Sequence, residues 1–297
     1  MGVKYQVRKV RRDGVTQRYW VAPTSEHDDA VTAVMRGDLA LADSRKERRL
    51  AQQLLQAPSV QDSVYRSLVR QYEETKSSDS QPMLFLRHYL SEEYPDAESL
   101  LMRLATEPSS WHIRVAAIHT MASPMEPRAP RLIREVADKA TDEWTARFAI
   151  TELAAYLDIT MENLIRKKLM PTREAVLDAL ETLGLALQGK WFEPKDEIGS
   201  ILAALNHKRF DFEKAVQGQI PARVEKQVID GLVSILSLGS LPTEMFEKAL
   251  DVVKEWGSEY ALDKLRSLWD GLDRKGRRDM VFDAISEIEQ RLKRKSG

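Results

Sequence analysis

Residues 111–122, WHIRVAAIHTMA, return 33 positions later as residues 144–155, WTARFAITELAA. The echo keeps a tryptophan, an arginine three residues on (Arg114, Arg147) and an alanine two further (Ala116, Ala149). Apolar residues recurring at three- and four-residue steps mark a helix with one buried face. A second pair of stretches matches behind them, LIRE from Leu132 and LIRK from Leu164. Two helices are therefore expected to recur together, and the unit predicted is a helical hairpin. A single hairpin leaves apolar surface open, and stacking such units covers it.

Fainter echoes continue the pattern: REAVLDALETLG from Arg173, RVEKQVIDGLVSIL from Arg223, ALDKLRSLW from Ala261 and RRDMVFDAISEI from Arg277. Pro95, Pro108, Pro124, Pro127, Pro171, Pro194, Pro221 and Pro242 fall between the apolar runs, where helices must start or stop. Trp111 and Trp144 are predicted to fill equivalent spaces between layers. Ala116, Ala117, Ala149, Ala154 and Ala155 are small enough to let helices approach closely. Through the W/R-x-x-R-x-A helix start and the aliphatic helix after it, residues 83–292 resemble the HEAT-like family of α-solenoids. The resemblance implies an all-α, right-handed α-solenoid of stacked helical hairpins, and the sequence ahead of it reads as a short β-hairpin.

That hairpin is the one strand signal. In KYQVRKVRRDGVTQRYWVA, from Lys4, β-branched and aromatic residues flank Asp13-Gly14, a dipeptide suited to a two-residue turn. Such a turn sets Lys9 against Arg18 and Arg8 against Tyr19, and like charges directly opposed destabilise a ribbon unless an anion meets them. Arg8, Lys9, Arg11, Arg12 and Arg18 are thus candidate phosphate contacts, with Tyr19 placed to stack on a base. Tyr5, Val7 and Trp20 would anchor the ribbon's base. Three segments follow: a basic β-hairpin arm at 1–22, an N-terminal helical segment or cap at 23–82, and the helical-repeat domain at 83–297. The boundary between the last two falls in KSSDSQP, from Lys76.

Composition narrows the function. The chain has 297 residues, no cysteine, and 45 Lys plus Arg against 46 Asp plus Glu. Disulfides and cysteine–metal sites are excluded, and overall charge points to no particular partner. No apolar run approaches the roughly 18 residues of a membrane span, so a cytoplasmic protein is expected, with no membrane partner. Both ends are basic; at the C-terminal side these are DRKGRR from Asp273 and RLKRK from Arg291.

Motifs for phosphate loops, dinucleotide binding, zinc peptidases and serine hydrolases are absent, and no cofactor or metal is expected. His112 and His119 lie two turns apart, about 10 Å along a helix, too far to share a metal. The carboxylates of SEEYPDAE, from Ser91, and ATDEW, from Ala140, sit where they would cap helices. The function expected is a non-catalytic adaptor, holding a protein partner on its solenoid surface and contacting RNA, DNA or a ribonucleoprotein through the hairpin. One alternative is a pure protein–protein scaffold. Another comes from the resemblance: HEAT-repeat DNA glycosylases for alkylated bases use tryptophans and an aspartate, for which Trp111, Trp144, Trp191 and Asp142 would be the counterparts.

Overall fold

The computed structural model describes residues 6–12, 15–21, 65, 66, 69, 95–108, 110–123, 126–167, 171–194 and 197–296. Its contacts divide the chain into two compact units, Met1–Met121 and Ala122–Gly297. In the first, β1 (Gln6–Arg12) and β2 (Val15–Val21) run antiparallel, with Lys9 opposite Arg18 and Val7 opposite Trp20. Asp13-Gly14 and the side chains of the ribbon lie outside the described residues. So does most of segment 23–82, including its boundary; Tyr65, Arg66 and Val69 are helical. Two packed helices complete this unit, α1 (Pro95–Thr106) and α2 (Trp111–Met121). Pro95 opens α1 at the one position where a missing N–H costs nothing.

The second unit is a double row of helices. In chain order these are α3 (Ala129–Lys139), α4 (Glu143–Lys167), α5 (Arg173–Leu187), α6 (Ile198–Leu205), the short α7 (Arg209–Ala215), α8 (Ala222–Leu236), α9 (Thr243–Trp256), α10 (Glu259–Gly271) and α11 (Lys275–Ser296). One row runs α3, α5, α8, α10, each helix touching the next; the other runs α4, α6, α9, α11. Four hairpins join the rows: α3 with α4, α5 with α6, α8 with α9, and α10 with α11. Leu132, Ile150, Leu183, Ile201, Leu232 and Val253 fill the space between the rows. The fold class read from the sequence, all-α, holds for both helical parts.

Helix ends are set where the sequence places its breakers. Thr172 caps α5 by accepting from the Ala175 N–H at 3.4 Å, and Ser258 caps α10 by accepting from Ala261 at 3.4 Å. Pro221 and Pro242 stand immediately before α8 and α9. After α5, Gly189 takes φ of +81°, a backbone turn that favours glycine.

Three expectations are corrected. WTARFAITELAA and LIRK are not two helices but one, the 25-residue α4. Ser123-Pro124-Met125-Glu126-Pro127 breaks the chain after α2, whereas the matching stretch, Tyr156 to Thr160, has no proline or glycine to stop the helix. The hairpins are consequently shifted by one helix, and the two tryptophans open second helices rather than first ones. Nor do those tryptophans fill the core. Trp111 is 49% exposed, and Trp144 is half-buried, stacked on Phe148 at 5.5 Å. Trp256, Tyr156, Phe212 and Phe246 are the large rings fully buried among the described residues of the second unit, with Phe192 close behind at 5% exposed. Of the five alanines, Ala155 faces solvent while the other four are buried.

A close backbone approach lies elsewhere, between α5 and α8. A Cβ added to Gly231 would stand 2.5 Å from the Gly184 carbonyl oxygen, and one added to Gly184 would stand 2.7 Å from that of Gln227. Gln188 spans the same contact, its amide nitrogen donating to Gly184 O at 3.2 Å and Gln227 O at 3.1 Å.

The continuity of α4 is directly testable at Ile159, which is 42% exposed and mid-helix. Ile159→Pro should cost about 3 kcal/mol, lowering the thermal midpoint by roughly 6–12 °C, while Ile159→Ala stays within about 0.5 kcal/mol of the parent. Thermal unfolding followed by circular dichroism reads both. A tolerated proline would mean that α4 is interrupted there.

Candidate binding groove

The C-terminal end of α9 organises a depression in the second unit. The last carbonyls of a helix have no partner within it, and here two arginines from other helices supply one. Arg209, at the start of α7, donates to the Trp256 carbonyl at 2.6 Å, to Glu213 at 2.9 Å and to Glu225 at 3.1 Å. Burial opposes its charge, but the two glutamates outweigh that and hold its pKa above the ordinary arginine value. Arg291, on α11, donates to the carbonyls of Lys254 and Gly257. A Cβ at position 257 would stand 2.6 Å from the Arg291 guanidinium and 2.8 Å from the Ile288 side chain, so those side chains would have to shift to admit one. The Trp256 indole N–H donates in turn to Leu205 O at 3.3 Å, tying α9 to the end of α6.

Around this knot opens a groove of about 910 Å³, lined among others by Arg209, Phe210, Glu225, Lys226, Tyr260 and Arg291. Phe210 is 72% exposed at its edge. Tyr260, in the groove's lining, belongs to an ion-pair cluster. Tyr260 donates its hydroxyl to Asp230 at 2.6 Å, and Lys264 reaches the same oxygen at 2.9 Å. Lys226 and Lys264 stand 5.8 and 5.3 Å from the Tyr260 ring centre. Partial burial alone would raise the Asp230 pKa, but the bonds from Tyr260 and Lys264 lower it more, so the carboxylate lies below its usual range. The bond to Asp230 holds Lys264 above its own.

A second line of charges ties the first row together along its surface. Glu181 on α5 is buried between Arg223 of α8, at 2.9 Å, and Arg134 of α3, at 4.0 Å. Burial and the adjacent Glu181 raise the pKa of Asp178. Arg277 is likewise structural: 5% exposed, it donates to the carbonyls of Leu238 and Leu241 and lies 4.7 Å from the Phe246 ring centre. Part of the basic run DRKGRR is thus committed to holding helices.

The candidate nucleic-acid residues are located by backbone alone. Arg8 pairs with Tyr19, Lys9 with Arg18, Arg11 with Thr16 and Arg12 with Val15; their side chains lie outside the described residues. Asp142 caps α4, accepting from the Thr145 N–H at 2.8 Å and from its hydroxyl at 2.9 Å. His207 bonds Asp158 at 2.8 Å and meets the Phe212 ring edge-on, while the His112 ring lies 3.7 Å from that of Trp111. Among the described residues, no three His, Asp or Glu converge as a metal site would require, and no helix is long and apolar enough to cross a membrane. Sequence reasoning did not single out Arg209, Glu225, Asp230 or Tyr260, because the arginines and carboxylates of a helical array look alike until packing buries some of them.

No protein-family model matches the chain, and no curated protein matches it. A solved structure described as "Computational Design of Self-Assembling Cyclic Protein Homooligomers" aligns over 90% of this chain and 91% of its own, at 16% identity. Its TM-score of 0.19 is too low to carry any argument about fold or function.

The Asp230 cluster has a pH signature. A depressed carboxylate pKa contributes stability above the unfolded value, near 3.9, and loses it as pH falls through the folded value. In urea titrations, Asp230→Asn should be less stable than the parent at neutral pH, with the gap closing below pH of about 4. A gap independent of pH would show that the carboxylate charge contributes nothing.

Proposed function

We propose that the chain is a non-catalytic helical adaptor. It holds a protein partner against the helical surface, in the groove beside α9, and contacts RNA, DNA or a ribonucleoprotein through the basic ribbon. The finer reading of the array is a HEAT-like, right-handed α-solenoid working in the cytoplasm. One observation supports the partner site above others: polar groups lining the groove are spent on structural ties, Arg209 on Glu213, Glu225 and the Trp256 carbonyl, and the Tyr260 hydroxyl on Asp230. What they leave at the surface is Phe210, Tyr260 and a rim of both signs, including Lys208, Glu255 and Glu259. Such a surface suits a polypeptide, with aromatic contacts and a polar rim.

The ribbon's role rests on its charge. Between Met1 and Ala22 six basic residues face one acid, and Lys9 directly opposes Arg18. Contacts to phosphate would position the adaptor without reading sequence.

The test uses the full chain and a variant with Lys9, Arg11, Arg12 and Arg18 all replaced by Gln. Fluorescence anisotropy with single-stranded RNA and duplex DNA is measured across a salt series. Wild-type affinity should fall steeply with salt, and the variant should bind more weakly with a slope shallower by about 3 on single strands, at roughly 0.7 per lost contact. Equal binding by both proteins, or none by either, removes the nucleic-acid half and leaves the protein scaffold.

A further inference from the structure

Glu225, in the first turn of α8, lines the groove beside α9 and is only 9% exposed. Its Oε2 accepts from Arg209 at 3.1 Å. The other oxygen, Oε1, is buried and accepts no hydrogen bond among the described residues. An arginine can fork onto both oxygens of one carboxylate, but Arg209 directs Nε to Glu213 and Nη1 to the Trp256 carbonyl, and meets Glu225 through Nη2 alone. The dipole of α8 favours a carboxylate in its first turn without supplying the missing donor. A buried charged acceptor left unmet is costly, and native structures keep few of them.

Counted whole, the lining holds four acids and four bases, and the difference lies in how many are engaged. Arg209 is shared between two carboxylates, Arg291 is turned to the carbonyls of Lys254 and Gly257, and Lys226 lies near the Tyr260 ring and the Asp230 carboxylate. Glu255 and Glu259 are exposed and make no ion pair among the described residues, against Lys208 alone on the basic side. Phe210 and Tyr260 add two aromatic rings. A guanidinium suits these groups together, because it lies flat on an aromatic face and donates in its own plane to a carboxylate. Lysine brings a point charge with no planar face to stack.

We propose that the polypeptide held in this groove presents an arginine side chain to Glu225, its guanidinium donating to Oε1 and lying against an aromatic ring of the lining. Arg209 stands between Glu213 and Glu225, two carboxylates on one guanidinium, and the incoming arginine supplies the second cation. The inference rests on the groove being a polypeptide site. It adds the chemistry that the partner must carry there.

A random-peptide library panned on the intact chain tests it, with the Phe210→Asp variant as counter-selection. Phe210 is 72% exposed, so peptides kept by the parent and released by this variant are those seated in the groove. They should share an arginine, and replacing it by citrulline, its uncharged counterpart, should weaken binding about 30-fold or more in calorimetry. Against Glu225→Gln, whose amide oxygen can still accept from Arg209, the arginine and citrulline peptides should bind within about threefold of each other. Thermal unfolding checks the fold of that variant, and the citrulline comparison leaves the parent protein unaltered. Groove peptides without a recurring arginine, or a citrulline loss equal in both proteins, overturn the inference and leave the polypeptide groove standing. A panning in which no peptide distinguishes Phe210→Asp from the parent removes the groove reading and the inference with it.

Discussion

Two glycines in mid-helix decide how closely the first row of the second unit can pack. Gly184 and Gly231 bring α5 and α8 so near that the carbonyl oxygen of one occupies the place of the other's missing Cβ. Glycine inside a helix costs about 1 kcal/mol relative to alanine, so two at facing positions call for a compensating gain. The gain is backbone contact between the helices, with Leu183, Leu187, Val228 and Leu232 closing around it. Because the two helices meet backbone to backbone, side chains that would otherwise hold them apart are free to pack against α3 and α10 on either side.

Polar ties then hold the array in register. Arg209 and Arg291 converge on the end of α9, Arg277 on the loop after α8, and Glu181 joins three helices through Arg134 and Arg223. Each arginine satisfies groups that helix geometry leaves unmet, so removing one would strand a buried carbonyl or carboxylate as well as a contact. This is also why the groove beside α9 is a shaped surface: its floor consists of side chains already fixed by their neighbours. The ribbon of the first unit has a different character, two short strands carrying a surplus of positive charge. The adaptor function proposed above would divide between a shaped surface for a protein partner and a cationic arm for a polyanion.

Much of this was legible in the sequence, for identifiable reasons. Prolines act locally, so Pro95, Pro221 and Pro242 mark helix starts that the structure keeps. The continuity of α4 was legible too, in the absence of any breaker between Tyr156 and Thr160, but matching LIRK to LIRE drew the pairing the wrong way. What sequence could not display is which of many similar residues packing selects. Nothing local distinguishes Gly184 and Gly231 from glycines at turns, or Arg277 from Arg274, since burial depends on a helix dozens of residues away. Tryptophan misled because its size suggests a core role, yet Trp111 opens a helix with half its surface exposed while Trp256 is buried.

The most direct measurement is the unfolding free energy of Gly231→Ala and Gly184→Ala by urea titration of the intact chain. If the helices meet through their backbones, each methyl forces them apart, and the net loss should reach about 2 kcal/mol even though alanine favours the helix by about 1 kcal/mol. A neutral or stabilising outcome at both positions would show that the two helices are not held at that distance, and the packing described for the second unit would be wrong.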